Sequence, residues 1–171
     1  IPVDGLILDG ASTWNTDGAA VFRCYGTCDG IILQNSEIKN GPYSGVFFAA
    51  GSGNQLLNNH VHTNGIGAGL PGGLGMYLSG ITDSLIKYND VHDNNCAGIR
   101  VFNSSASPQA LRNIVEYNEV YLNGAPATGV GSCVNSDEAG IFIGDQDNTA
   151  RFNVVYGNGE HGIYIFKGGG V

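Results

Sequence analysis

Positive charge is scarce in this sequence. Seven Lys and Arg residues stand against 15 Asp and Glu in 171 residues, a formal net charge of -8. Nucleic acid and anionic membrane surfaces are therefore not expected partners, because binding to phosphate relies on clustered cations. Long apolar runs are also missing, so no segment is expected to span a bilayer. The opening IPVDGLILDG has neither a basic start nor a small-residue cleavage pattern, and no signal peptide is expected within it. Cys24, Cys28, Cys96 and Cys133 lack the doubled Cys-x-x-Cys spacing of a zinc ribbon. Their even number points instead to one or two disulfides and an oxidising compartment, extracellular or periplasmic. Helical periodicity is absent too, since Gly, Asn or Pro interrupts every stretch long enough to carry it.

What is present is glycine, 28 residues of it, together with 42% hydrophobic and only 13% charged residues. That balance excludes a disordered acidic chain and implies packing in small, turn-rich units, within one domain spanning residues 1–171. A sequon at Asn103, Ser104 and Ser105 fits a surface loop.

A repeat organises the chain. A small or Asn residue followed two positions later by Ile or Val recurs as Ser36/Ile38, Asn59/Val61, Asn89/Val91, Asn118/Val120 and Asn153/Val155. Between these lies a second marker, Gly followed by alternating apolar residues, at Gly45, Gly75, Gly98, Gly140 and Gly162. The spacing from first to second marker is 45−36 = 9, 98−89 = 9 and 162−153 = 9, against 75−59 = 16 and 140−118 = 22. A coil of about 23 residues emerges, with insertions expected near 66–72, 103–109 and 125–137. Period-two alternation in short runs bounded by Asn and Gly, repeated at this interval, predicts an all-β solenoid, a parallel β-helix with at least two strands per coil. Equivalent residues then stack in columns about 4.8 Å apart. Asn59, Asn89, Asn118 and Asn153 are expected to form an amide ladder, helped by the tolerance of Asn for left-handed turns.

With repeats reading GIYIF and NVVYGNGEHG, the whole chain resembles the right-handed parallel β-helix superfamily. The resemblance implies the fold. It also implies three functional classes: polysaccharide lyases, glycosidases or epimerases; non-catalytic surface and tailspike proteins; and accessory factors for metal enzymes. The Asp-Pro-His motif carried by the epimerases of that superfamily is absent here.

Residues flanking each buried Val point outward. They form one column of Glu37, His60, Asp90, Glu119 and Val154, and a second of Lys39, His62, His92, Tyr121 and Tyr156. Two residue rises, about 6.7 Å, separate the columns. One position further out come Gln34, Leu57, Lys87, Glu116 and Arg151. Proton abstraction from a uronic acid needs a cation for the sugar carboxylate, a base and an acid. Lys87 or Arg100 is a candidate for the first role, His60 or His92 for the second, and Tyr121 or His62 for the third. Asp90 adds a carboxylate, and imidazoles beside a carboxylate also suit Zn or Cu. A solvated sheet carries polar side chains in any case, so a plain solvated face competes with both readings.

The outward column after the glycines reads Phe47, Tyr77, Arg100, Phe142 and Tyr164, with Phe102 and Phe166 two residues further on. Exposed aromatics at strand spacing suggest contact with a polysaccharide or a partner, or cover by the inserted loops. Asp145, Asp147 and Asn148, with the loop acids Asp137 and Glu138, offer hard oxygen ligands of the kind Ca²⁺ takes, although the EF-hand spacing is missing. His161 is expected to face solvent. Neither end of the chain shows an evident cap, which suggests a piece of a longer solenoid or end-to-end self-association. The expected function is interaction with a polysaccharide, as a lyase or epimerase of uronic-acid glycans. The alternatives are an assembly module stacked through its coils and a metal-handling accessory protein.

Overall fold

Each Ile or Val flanked by two outward residues builds a three-residue strand, and each such strand lies parallel to its counterpart in the next coil. A computed structural model describes residues 1–10, 20–65, 73–103, 109–124, 133 and 139–167. Sheet A contains β1 (Pro2–Asp4), β4 (Ile32–Gln34), β8 (Gln55–Leu57), β12 (Leu85–Lys87), β15 (Ile114–Glu116) and β18 (Thr149–Arg151). Sheet B contains β2 (Ile7–Asp9), β5 (Glu37–Lys39), β9 (His60–His62), β13 (Asp90–His92), β16 (Glu119–Tyr121) and β19 (Val154–Tyr156). Sheet C contains β3 (Ala20–Cys24), β6 (Ser44–Phe48), β10 (Leu74–Leu78), β14 (Ile99–Val101), β17 (Ala139–Gly144) and β20 (His161–Phe166). Two short strands, β7 (Gly51–Ser52) and β11 (Ile81–Thr82), pair beside them.

The register is the one the repeat predicts. Ile38, Val61, Val91, Val120 and Val155 align in sheet B, and the first four are fully buried. Leu33, Leu56, Ile86 and Val115 line the interior from sheet A, and Val46, Met76, Ile99 and Ile141 from sheet C, in one continuous core. Burial of this kind stabilises by about 25 cal/mol per Å² of apolar surface.

The asparagine ladder is present. The Asn59 side chain donates to Asn89 Oδ1 at 3.0 Å and to the Leu33 carbonyl at 2.9 Å, and the Asn59 backbone N–H donates to the same Asn89 oxygen at 2.9 Å. Asn89 repeats the pattern toward Asn118, and Asn118 toward Asn153. An amide can be buried at 1% exposure here because both its donor and its acceptor sides are used.

Two further ladders were not anticipated from sequence. Asn64, Asn94, Asn123 and Asn158 form one, and Asn54, Ser84, Asn113 and Asn148 form the other. The left-handed conformation also sits elsewhere than expected. It falls on the residue before each ladder position, as at Asn58, Tyr88, Tyr117 and Phe152 with φ between 52° and 59°. The coil therefore turns at the corner residue, and the ladder residue clamps the strand after it.

The glycine column has a different cause. A Cβ at Gly75 would lie 2.8 Å from both Asn94 Nδ2 and Val91 Cγ1, and one at Gly98 would meet Val120 Cγ1 at 2.6 Å. Sheet C can approach the second ladder and the Val column this closely only without a side chain. The disulfides join Cys24 to Cys28 and Cys96 to Cys133. The expected insertions at 66–72, 103–109 and 125–137 fall mostly outside the described residues, as do Asp137 and Glu138. Among the described residues, no helix is long and apolar enough to cross a membrane.

Candidate functional site

The outward face of sheet B collects the imidazoles. Strand pairing places His60 between Glu37 and Asp90, and His62 between Lys39 and His92, as the columns imply. The side chains do not stay in those columns. His60 and His62 stack at 4.2 Å between ring centroids, well inside the two-rise separation expected for extended side chains. His60 Nε2 then crosses to His92 Nε2 at 2.7 Å and lies 3.9 Å from Asp90 Oδ2. Glu37 likewise reaches across to His62 Nε2 at 3.1 Å while holding Lys39 at 2.9 Å.

A stack of rings continues upward. His92 lies 4.8 Å from Tyr121, and Tyr121 lies 5.0 Å from Tyr156 with the rings 2° from parallel. The Tyr156 hydroxyl donates to Glu119 at 3.0 Å. Two supporting residues escaped the sequence reading: Asp93, which pairs with His92 Nδ1 at 2.7 Å, and Thr63, whose hydroxyl lies 3.0 Å from His62 Nδ1. Each directly follows a histidine at a left-handed corner. That adjacency was the available signal.

The protonation states on this face differ. Partial burial, followed by the nearby His62, lowers the pKa of His60 below the ordinary 6.5. Burial pushes the Tyr121 phenol up to about 12, and the Asp90 charge adds to the effect. Lys39 and His62 hydrogen-bond to Glu37 and hold its carboxyl below its ordinary value. Asp90 Oδ1 is buried and accepts no hydrogen bond.

The two expected cations are not on this face. Lys87 lies on sheet A, bridged to Glu116 at 2.8 Å, and Glu116 also accepts from Arg151 at 2.7 Å. Arg100 lies on sheet C in register with Tyr77 and Phe142. Its guanidinium sits 5.0 Å from the Tyr77 ring and 5.1 Å from the Phe142 ring. Phe47 contacts Tyr77 at 5.2 Å and Tyr164 contacts Phe142 at 5.0 Å, so the rings turn toward one another along the column. Phe142 is only 4% exposed, with Phe102 and Phe166 against it. Tyr77 packs with Leu74 on the Cys96–Cys133 disulfide.

Asp145 and Asp147 occupy left-handed positions at a corner. Asp145 Oδ2 accepts from the backbone N–H groups of Asn103 and Ala110 at 3.1 and 2.9 Å, while Asn148 belongs to the third ladder. His161 opens β20 and stacks on Tyr164 at 5.3 Å. Among the described residues, two groups bring three potential ligands together, two imidazoles and one carboxylate each: Glu37, His60 and His62, and His60, Asp90 and His92.

Three parallel sheets wound around one core, with polar columns outside, define a parallel β-helix. The chain belongs to the family described as right handed beta helix region, whose family model matches residues 5–171. No curated protein and no solved structure gave a match.

Proposed function

We propose that this β-helix protein is secreted and acts on an acidic polysaccharide at the outer face of sheet B, as a lyase or epimerase of uronic-acid units. The observation that carries the reading is the in-register assembly of Lys39, His62, His92 and Tyr121 beside His60 and Asp90 on one solvent-facing sheet. A polymer lying across the strands meets a cation, imidazoles and a phenol in sequence. Lys39 neutralises the sugar carboxylate by exchanging its Glu37 partner for the substrate. His60 removes the proton next to that carboxylate, and Tyr121 returns a proton to the sugar ring or to the leaving oxygen. Two disulfides support an oxidising extracellular or periplasmic setting.

The test is incubation with a panel of uronic-acid polymers. Unsaturated product absorbance reports elimination, and solvent deuterium incorporation reports epimerisation. Either signal should fall at least about 100-fold in His60→Ala and in Tyr121→Phe. A chain that gives neither signal with any polymer removes the reading.

A further inference from the structure

We infer that His60, His92 and Asp90 form a binding site for one divalent first-row transition-metal ion of the Zn²⁺ or Cu²⁺ type, with Asp93 positioning His92. The inference goes beyond the polysaccharide reading and does not depend on it; it describes the chain free of sugar, since an ion on His60 Nε2 would occupy the imidazole that the polysaccharide reading uses as base. It starts from the two Nε2 atoms facing each other at 2.7 Å. His92 Nδ1 is paired with the Asp93 carboxylate at 2.7 Å, which fixes the proton on Nδ1 and leaves Nε2 as a lone pair. His60 must then point its own N–H at that lone pair. Two imidazole nitrogens brought together, with a carboxylate behind one ring, is how metal-ligating histidines are held.

The distances fit after small movements. Metal–nitrogen bonds near 2.05 Å at a tetrahedral angle place two ligand nitrogens about 3.3 Å apart. The histidine pair is therefore about 0.6 Å too close, and Asp90 Oδ2, 3.9 Å from His60 Nε2, is about 0.6 Å too far. Rotation of two surface side chains corrects both. On binding, the His60 proton transfers through solvent from Nε2 to Nδ1, so both rings ligate as neutral imidazoles and no redox partner is needed.

Between the two ligand groups that share His60, the chemistry selects this one. Glu37 in the other group is already engaged by Lys39 and His62, and a metal there would have to displace an ammonium. Two imidazoles and one carboxylate suit Zn²⁺ or Cu²⁺, and are too nitrogen-rich for Ca²⁺ or Mg²⁺.

The experiment is equilibrium dialysis of the tag-free chain against Zn²⁺ alone, with no sugar present. Co²⁺ absorption provides a second readout of ligand identity. One saturable equivalent per chain is expected. His60→Ala and His92→Gln should each weaken binding at least about tenfold, and Asp93→Asn about tenfold by misorienting His92. Glu160→Gln, at an exposed carboxylate beside His161, should leave affinity within about twofold. Circular dichroism confirms the fold of each variant, and His60→Gln replaces the alanine if that variant loses its β signal. The Co²⁺ spectrum should lose a nitrogen ligand in His92→Gln. Absence of a saturable site, or a histidine variant that binds as tightly as wild type, overturns the inference. Sugar chemistry is not read in this assay, so its failure leaves the polysaccharide reading to its own test.

Discussion

The outer faces of sheets B and C are built on the same backbone, yet they use their rings differently. On sheet C, phenyl and phenol rings lean on one another and on Arg100, and Phe142 ends up as buried as a core residue. On sheet B, rings stack at similar separations, but their edges carry nitrogens and hydroxyls that find carboxylates or one another. Stacking alone therefore does not mark a site. What distinguishes sheet B is that in-register side chains converge through polar atoms, where those of sheet C converge through carbon.

The largest effect is expected at the scaffold both faces share. Asn89→Ala leaves the Asn59 N–H and the Leu56 carbonyl without their buried partners. A loss of about 3 to 5 kcal/mol is expected, read as a lowered denaturant midpoint. Next comes sheet C, where Phe142→Ala should cost about 3 kcal/mol of stability because a buried ring is removed. Should that variant unfold at the wild-type midpoint, the two faces do not differ as described. On sheet B, His60→Ala should change stability by less than about 1 kcal/mol while weakening metal binding at least about tenfold.

The smallest effect is a dependence on acidity on the outer face of sheet A. Hydrogen bonds from Lys87 and Arg151 hold the Glu116 carboxyl below the ordinary 4.5. The folded chain thus binds fewer protons than the unfolded chain as the pH drops. The stabilisation is complete above 4.5 and is lost as pH falls through the lowered folded value. In Glu116→Gln the stability curve should be flatter across that acid range, measured by denaturation at several pH values. An unchanged slope would mean that the Lys87 and Arg151 contacts do not bias folding.

Strand register was legible because inward Ile and Val alternate with polar residues and a one-residue slip would expose every one of them. His60, His62, Asp90, His92 and Tyr121 could be placed on one face for the same reason. Their contacts could not, because strand pairing fixes Cβ positions while rotamers decide whether His60 meets Asp90 or crosses to His92. Lys87 and Glu116 were recognisable as column neighbours, but the sequence did not reveal that the pair closes on itself. The third ladder was hidden by Ser84 standing where Asn is expected, and the corners by bulky residues such as Tyr88 that do not advertise positive φ.

The ladders also set what evolution or an engineer can change. From the second-ladder position, filled in the first of these coils by Gly41, whose N–H donates to Asn64 Oδ1, to the following glycine the chain runs 45−41 = 4, 75−64 = 11, 98−94 = 4, 140−123 = 17 and 162−158 = 4 residues. Across this range of lengths the strands on either side keep register. Each coil thus behaves like a frame with a socket, in which length is free between one clamp and the next but forbidden within the strands. New segments grafted at that socket would decorate the solenoid without renumbering its columns.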